Sequence, residues 1–299
     1  MKTTEITVPL GLAYCAISLL SLTKLGMLAA RHIGLSSSNF RVHGLAAGLT
    51  GMRCGFFYLA SKEWTLSAGV AKATSGASLV MFCTLDQAAT LFQFLLCVAA
   101  ASFYIEHYYF AIDASQRYSA VIRPLQSALV VSVVAVQALL SMLLAWTIRQ
   151  GRSLVYAPIS CAIFYATLYA GGGVAFQWFA LFEVPKVLRE VPTELMIRRR
   201  LLTEVRVLGV LAWAMVLRAV ALVLIAGRRL YLGEPFSMAL GASYFILLDF
   251  IPVLIVLYFF RRMPISTDEV LGGNSRIEEK TALISNNKRG AMLGGAAVG

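Results

Sequence analysis

The chain has 299 residues, of which 59% are apolar and 14% are charged, and its mean hydropathy is +0.75. Soluble domains average about 45–50% apolar and about 25% charged residues, so this composition excludes a soluble globular fold and predicts an integral membrane protein. The net charge of +11 does not indicate direct nucleic-acid binding, since the basic residues lie in short segments between apolar runs, as membrane topology predicts.

Seven apolar runs are each long enough, at about 20 residues, to cross the hydrocarbon core of a bilayer as a helix. In chain order they span approximately 8–30, 42–60, 88–110, 126–147, 154–181, 205–226 and 236–260. We therefore predict an all-α fold, a receptor-like bundle of seven transmembrane helices that occupies residues 1–264. The remaining tail, 265–299, is rich in Gly, Ala and Asn, and we expect it to be cytosolic and disordered.

The 26 Lys and Arg residues predict the orientation of this bundle. Fifteen lie on the side that holds the 182–204 loop and the tail, seven lie on the other side, and four lie in or at the edge of spans. The positive-inside rule places the richer side in the cytosol. The N-terminus is then luminal or extracellular, and the C-terminus is cytosolic.

Glycines in two spans predict close packing between helices. Span two has glycines spaced by 4, 3 and 4 residues, which places them on one stripe where a neighbouring helix of the same bundle can approach. Span five contains three consecutive glycines, which predict a kink or a close contact. These residues are Gly44, Gly48, Gly51 and Gly55 in span two, and Gly171, Gly172 and Gly173 in span five.

Three charged side chains fall near the same depth, at the middle of the membrane: Arg53 in span two, Arg218 in span six and Asp249 in span seven. A charge at mid-bilayer costs roughly 2.5–3.5 kcal/mol on insertion scales, so we expect Asp249 to pair with one or both arginines. Pro252 has no N–H to donate to the carbonyl of Leu248, which predicts a further acceptor here. Such a cluster is either a structural ion pair that fixes helix register or a functional site.

The sequence contains no combination of residues that indicates catalysis or metal binding. The three histidines, His32, His43 and His107, lack the i, i+3 or i+4 spacing of helical metal ligands. No nucleophile elbow, paired catalytic carboxylates or phosphate-binding loop occurs. We therefore predict no catalytic residues, no metal and no cofactor. Near the cytosolic side, we expect Glu106 to pair with Lys24 or Arg206.

Several motifs occur together along the chain. They are Arg53 in span two, Leu85-Asp86-Gln87 at the start of span three, Glu106 at its end, the basic Arg198-Arg199-Arg200 followed by Glu204 and Arg218, and Asp249-Phe250-Ile251-Pro252 followed by Arg261, Arg262 and Pro264. This combination resembles the tobamovirus multiplication protein family, heptahelical membrane proteins of plants, over most of residues 8–264. The family usually has Glu at the position of Asp249 and Ser at the position of Val253, so the chain resembles a divergent member.

The resemblance implies a multi-pass protein of the vacuolar or other endomembrane system. Plant members act as host factors that anchor viral replication proteins on membranes, which implies a membrane anchor or scaffold that recruits cytosolic proteins. The partners implied are the lipid bilayer and cytosolic proteins. The cytosolic proteins would bind the tail and the 182–204 loop, which contains Arg198, Arg199 and Arg200.

The tail contains an independent sorting signal. Glu279, Leu283 and Ile284 match the acidic dileucine pattern Glu-x-x-x-Leu-Ile, which sorting adaptors bind in an extended, cytosolic peptide. The pattern favours a vacuolar or lysosome-like membrane over the plasma membrane.

Two other functions stay open at this stage. One is a G-protein-coupled-receptor-like signalling protein. Against it, the loop after span four has no cysteine that could pair with Cys83, and span seven has no Asn-Pro-x-x-Tyr element. A small-solute transporter would use Arg53, Arg218 and Asp249 to line a path, although the chain has no internal repeat. The sequence leaves the oligomeric state open.

Overall fold

A computed structural model describes residues 4–30, 38–63, 76–111, 116, 118–150, 156–186, 196–231 and 238–261. These residues form seven helical rods, which confirms the all-α fold class. The rods are α1 (Thr4–Ala30), α2 (Ser38–Glu63), α3 (Gly76–Ala111), α4 (Arg123–Arg149), α5 (Tyr156–Trp178), α6 (Met196–Tyr231) and α7, which consists of Met238–Phe245, a π-helical turn at Ile246–Phe250 and Ile251–Arg261. Further π-helical turns precede α4, at Tyr118–Ile122, and follow α5, at Phe179–Glu183.

Six of the described helices are long and apolar enough to cross a membrane. They provide the spans Thr7–Ala30, Cys83–Glu106, Tyr118–Thr147, Ile159–Lys186, Leu202–Gly227 and Gly241–Phe260. Helix α2 is not among these six, because Arg53, its glycines and its other polar residues lower its mean hydropathy. Six such helices make the chain an integral membrane protein.

The distribution of apolar and charged side chains is the reverse of that in a soluble protein. Leu20 on α1 and Leu139 and Met142 on α4 are exposed by 65–70%. In contrast, Arg53 and Asp249 are completely buried. An apolar exterior around charged residues fits a bundle whose outer surface contacts lipid.

Helix α3 is the central helix of the bundle and contacts α2, α4, α5 and α6. Helix α1 packs along α2, and α5 packs along α6. A hydrophobic core forms around Phe94 of α3, whose ring makes an edge-to-face contact with Tyr169 of α5 at 5.6 Å between centroids. Met215 of α6 and Val133 of α4 complete this core. The compact unit Met1–Tyr258 contains these elements, and of the second unit, Phe259–Gly299, the structure describes only the end of α7.

The glycines of α2 face two neighbouring helices rather than one. A Cβ atom at Gly48 would lie 2.5 Å from the Phe92 ring of α3, whereas a Cβ at Gly51 would meet the Ser18 hydroxyl of α1 at 3.6 Å. In α5, a Cβ at Gly173 would lie 2.9 Å from the carbonyl oxygen of Ala212 on α6. The expected close contacts are therefore made within the bundle, but the stripe of α2 serves α1 and α3 together.

Two helices extend beyond the apolar runs that predict them. Helix α3 begins at Gly76, whereas its membrane-spanning part begins at Cys83, so Leu85-Asp86-Gln87 lies inside the helix and near the start of the span. The predicted 182–204 loop is helical through Lys186 and again from Met196, which places Arg198, Arg199 and Arg200 at the start of α6. At the start of α6, Arg and Glu residues are good helix formers that extend the helix beyond its apolar run.

Candidate functional site

Arg53 is the centre of a buried polar network between α2, α3 and α7. Its Nε donates to Oδ2 of Asp249 at 2.5 Å, and its Nη1 donates to Oδ1 of Asp86 at 2.6 Å. Its Nη2 lies 3.4 Å from the hydroxyl of Thr90. All three guanidinium nitrogens therefore have partners, which compensates for removing this side chain from water.

Arg218 reaches the same network from α6. Its Nη1 donates to the carbonyl oxygen of Leu248 at 3.0 Å and lies 3.6 Å from Oδ1 of Asp249. Its Nη2 lies 3.5 Å from the Thr90 hydroxyl that Arg53 also contacts. The structure thus brings Arg53, Arg218 and Asp249 together, with one carboxylate placed between two guanidinium groups.

The Leu248 carbonyl is available because of the local geometry of α7. Pro252 has no N–H, and the π-helical turn Ile246–Phe250 shifts the backbone hydrogen bonding just before it. The Leu248 oxygen accepts instead from Arg218 and from Nε2 of Gln93, the latter at 2.6 Å. A backbone acceptor in the bundle centre, which the sequence predicted from Pro252, therefore binds side chains of α3 and α6.

Aromatic rings surround both guanidinium groups. Arg53 lies over the ring of Phe245 at 5.0 Å, and Arg218 lies over Tyr169 and Tyr244 at 5.1 Å each. Tyr169 also donates its hydroxyl to the carbonyl oxygen of Thr90 at 2.9 Å. Ring faces attract cations most strongly where water is absent, so these contacts stabilise the two buried positive charges.

The network balances two positive with two negative charges. Arg53, Arg218 and Asp249 are at most 1% exposed, whereas the Asp86 side chain is 48% exposed. Without Asp86, two buried cations would share a single carboxylate. Asp86 is therefore the counter-ion that connects the buried centre with the surface of the described bundle.

A second polar cluster joins α4 to α3 and α5. Nε2 of Gln137 donates to Oε1 of Gln87 at 3.0 Å, and the Tyr165 hydroxyl donates to Oε1 of Gln137 at 2.5 Å. Nε2 of Gln87 donates to the Cys161 sulfur at 3.2 Å, and Ser141 accepts from Gln137 at 2.9 Å. Gln87, part of the family-like motif, thus lies beside Asp86 in sequence but serves a separate cluster.

The remaining predicted residues lie away from the network. Glu204 is buried near the start of α6, 14 residues before Arg218, and Glu106 is half-buried near the end of α3. Within the described part of the chain, no ion pair joins Glu106 to Lys24 or Arg206, so that expectation is wrong.

Several predicted residues cannot be placed in a site. The backbones of Arg198, Arg199, Arg200 and Arg261 are helical, and their side chains lie outside the described residues. Arg262, Pro264 and the predicted sorting motif Glu279, Leu283 and Ile284 also lie outside them. Among the described residues, no group of three His, Cys, Asp or Glu side chains could hold a metal ion.

Sequence reasoning missed Thr90, Gln93, Tyr169, Tyr244 and the central role of Asp86. A signal for three of them was present, because Asp86, Thr90 and Gln93 are spaced i, i+4 and i+7 and therefore form one polar stripe on an apolar helix.

No protein-family model matches the chain, and no curated protein or solved structure matches it either.

Proposed function

We propose that this chain is a multi-pass endomembrane protein of the tobamovirus multiplication type, which anchors cytosolic proteins at a vacuolar or lysosome-like membrane. The observation that carries the proposal is that motif residues from distant parts of the sequence meet in one place. Arg53 is hydrogen-bonded to Asp86 and Asp249, and Pro252 leaves the Leu248 carbonyl free to accept from Arg218. This convergence supports the proposal that the motifs belong to one signature.

The chemistry of the network supports a scaffold. The charged groups of its centre bind mainly each other, and they connect α2, α3, α6 and α7. Buried ion pairs are best attested as devices that fix the register of packed helices. In a scaffold of this kind, partner proteins bind the outer surfaces and the termini of the bundle.

The proposed orientation places the basic surface towards the cytosol. In this arrangement all seven helices cross the membrane, the N-terminus is luminal, and Arg198, Arg199 and Arg200 at the start of α6 lie on the same side of the membrane as the tail. A cluster of basic residues next to a membrane attracts acidic protein surfaces as well as anionic lipid headgroups.

Proximity labelling from the C-terminus, combined with imaging of its location, tests the proposal. We expect the replacement of Arg198, Arg199 and Arg200 by Glu to remove specific cytosolic proteins from the labelled set while the location is unchanged. The matched control replaces Arg228 and Arg229, which the proposed orientation places on the luminal side. The scaffold proposal fails if the triple variant labels the same cytosolic proteins as the natural sequence.

The sorting signal has its own test. We expect Leu283→Ala/Ile284→Ala to move a tagged protein from the vacuolar or lysosome-like membrane to the plasma membrane, since the adaptor pocket would lose its aliphatic pair. Asn286→Ala/Asn287→Ala, in the same tail, is the control that keeps the location. An unchanged location of the Leu283/Ile284 variant would contradict this sorting mechanism.

A second candidate function, a small-solute transporter, has one specific observation in its favour. Asp86 is half-exposed and leads to the buried Arg53, while Oδ1 of Asp249 and Nε of Arg218 have no hydrogen-bond partner among the described residues. Polar atoms of this kind could bind a solute that enters past Asp86. Solute flux into proteoliposomes that Arg53→Gln abolishes would favour the transporter over the scaffold.

A further inference from the structure

Two hydrogen bonds fix how α3 and α5 lie side by side. The Tyr165 hydroxyl of α5 donates to the carbonyl oxygen of Gln87 on α3 at 3.1 Å. One turn further along both helices, the Tyr169 hydroxyl donates to the carbonyl oxygen of Thr90 at 2.9 Å. The two helices therefore run parallel, and the residues one turn before Tyr165 and Gln87 lie on the same facing sides.

Both of these positions hold cysteine. Cys161 precedes Tyr165 by four residues, and Cys83 precedes Gln87 by four residues. Side chains of a helix lean towards its N-terminus, so the Gln87 amide lies over the turn that contains Cys83. That amide donates to the Cys161 sulfur at 3.2 Å, which places this sulfur beside the same turn of α3. Among titratable groups, Cys83 interacts most strongly with the Cys161 thiol.

The two cysteines lie where their helices enter the membrane. The membrane-spanning part of α3 begins at Cys83, and that of α5 begins at Ile159, just before Cys161. Cys83 is partly exposed, whereas Cys161 is buried. A water-soluble oxidant at the membrane boundary can therefore reach Cys83 first, with Cys161 behind it.

A second pair of cysteines differs from this one in depth. The thiols of Cys15 on α1 and Cys54 on α2 lie within hydrogen-bonding distance, and Cys54 follows Arg53 of the buried network in sequence. Only the thiolate is nucleophilic, and a thiol in apolar surroundings forms little of it, so cysteines of this kind are unreactive. Cys83 and Cys161 are therefore the pair that is placed for oxidation.

We propose that Cys83 and Cys161 form a disulfide bond that joins α3 to α5 at the luminal end of the bundle. The oxidant is a small-molecule disulfide, such as glutathione disulfide. The Cys83 thiolate attacks it, which forms a mixed disulfide and releases one thiol. The Cys161 thiolate then attacks the Cys83 sulfur and releases the second thiol. The two cysteines are oxidised, the small disulfide is reduced, and the two cysteine protons pass to the two leaving thiolates.

The disulfide stabilises the bundle next to its polar clusters. It joins α3 to α5 within one turn of Asp86 and Gln87, and it closes a long loop, which restricts the unfolded chain strongly. The inference rests on the orientation proposed above, because an oxidising environment is found on the luminal or extracellular side and not in the cytosol.

Differential labelling of the full-length protein in cells tests the disulfide. N-ethylmaleimide is added before lysis and during denaturation, the protein is then reduced, and iodoacetamide labels the thiols that reduction releases. We expect iodoacetamide on Cys83 and Cys161, and a linked peptide of the two in the unreduced digest. The internal controls, which should carry N-ethylmaleimide, are Cys15, Cys54 and Cys97. N-ethylmaleimide on Cys83 and Cys161 would overturn the proposal.

A sequon introduced within residues 64–75 separates this inference from the proposed orientation. If the sequon is glycosylated while Cys83 and Cys161 are recovered as thiols, the disulfide is wrong and the orientation stands. If the sequon is unmodified and both cysteines are thiols, the orientation and the disulfide fail together.

Thermal unfolding in lipid nanodiscs gives a second measurement, with the fluorescence of the four Trp residues as the signal. We expect dithiothreitol to lower the unfolding midpoint of the natural sequence by several degrees, because it removes the cross-link. Cys83→Ser/Cys161→Ser should abolish this effect, and the matched control Cys15→Ser/Cys54→Ser should keep it. An equal fall of the midpoint in the Cys83/Cys161 variant would contradict the disulfide.

Discussion

The buried network depends on Asp249, because its carboxylate lies between the two arginines. It lies 2.5 Å from Nε of Arg53 and 3.6 Å from Nη1 of Arg218, and it is completely buried. We predict that Asp249→Asn destabilises the folded protein by about 3–5 kcal/mol, since two buried guanidinium groups then lose their shared counter-ion. Thermal unfolding and the yield of monodisperse protein in detergent measure this loss.

Asp86→Asn is the matched comparison for this prediction. The Asp86 side chain is 48% exposed, and an amide oxygen can still accept from Nη1 of Arg53. Because Asp249 still pairs with both arginines in this variant, we expect a clearly smaller loss of stability than with Asp249→Asn. An Asp86 variant at least as unstable as the Asp249 variant would show that the charge balance is centred elsewhere.

The sequence located part of this site because charges in apolar helices are costly wherever they occur. Arg53, Arg218 and Asp249 could be placed at one depth by counting residues from the ends of the spans. Thr90 and Gln93 could not be found in that way, since uncharged polar side chains carry no comparable cost of insertion. Only the structure shows that the side of α3 with this polar stripe faces α2, α6 and α7.

At the scale of helices, the close contact between α5 and α6 depends on Gly173, which has no side chain. A Cβ at Gly173 would lie 2.9 Å from the backbone oxygen of Ala212 and 3.2 Å from the nitrogen of Val216, so the two helices would have to separate. We predict that Gly173→Ala destabilises the protein by about 1–3 kcal/mol. Gly171→Ala, where an added Cβ meets open space, should be neutral or stabilise by up to about 1 kcal/mol.

Both glycine variants are compared by their thermal unfolding midpoints in the same lipid. The two substitutions add the same methyl group to the same helix, so helix propensity cancels between them. Equal midpoints for Gly171→Ala and Gly173→Ala would show that α6 adapts to the added atom and that close packing is not required here.

Helix α4 is attached to the bundle through Gln137. Many of its large side chains face outwards, and Gln137 connects it to Gln87 of α3 and Tyr165 of α5. We predict that Gln137→Leu costs about 1–3 kcal/mol, because Gln87 and Tyr165 lose a buried partner. Hydrogen exchange of the α4 backbone should become faster, whereas Ser132→Leu, at an exposed position of α4, should leave it unchanged. Unaltered exchange in Gln137→Leu would exclude this attachment.

The extents of the helices follow only partly from the sequence. The apolar runs predict spans that start near 88 and 205, whereas α3 begins at Gly76 and α6 begins at Met196. At the start of α6, Arg and Glu residues extend the helix without contributing to hydropathy. The segment at the start of α3 is instead rich in small and apolar residues, so its helical state does not follow from the same reason.

For the whole molecule, the open question of topology is whether α2 crosses the membrane despite its low mean hydropathy. This helix has 26 residues, and at 1.5 Å per residue it is ~39 Å long, which exceeds the hydrocarbon thickness of about 30 Å. It packs between α1 and α3, so much of its surface contacts protein. Its low hydropathy reflects these neighbours and the buried Arg53, and we propose that it crosses the membrane as the other six helices do.

The number of crossings determines the relative positions of the chain ends. Seven crossings place the N- and C-termini on opposite sides, while six place them on the same side. We predict opposite sides with the C-terminus in the cytosol, because the richer set of Lys and Arg residues lies on that side of the proposed topology. Reporters fused to each terminus, whose signal requires either the cytosol or the lumen, measure both positions directly.

Engineered glycosylation sites provide an independent measurement of the same topology. The chain has no Asn-x-Ser/Thr sequon, so any glycosylation arises from an introduced site alone. We expect a sequon inserted within residues 64–75, between α2 and α3, to be glycosylated, and one inserted within 187–195, between α5 and α6, to stay unmodified. If α2 did not cross, the segment between α2 and α3 would lie on the same side as the segment between α1 and α2. A sequon in each of these two segments therefore distinguishes seven crossings from six, and equal modification of both would refute the seven-helix topology.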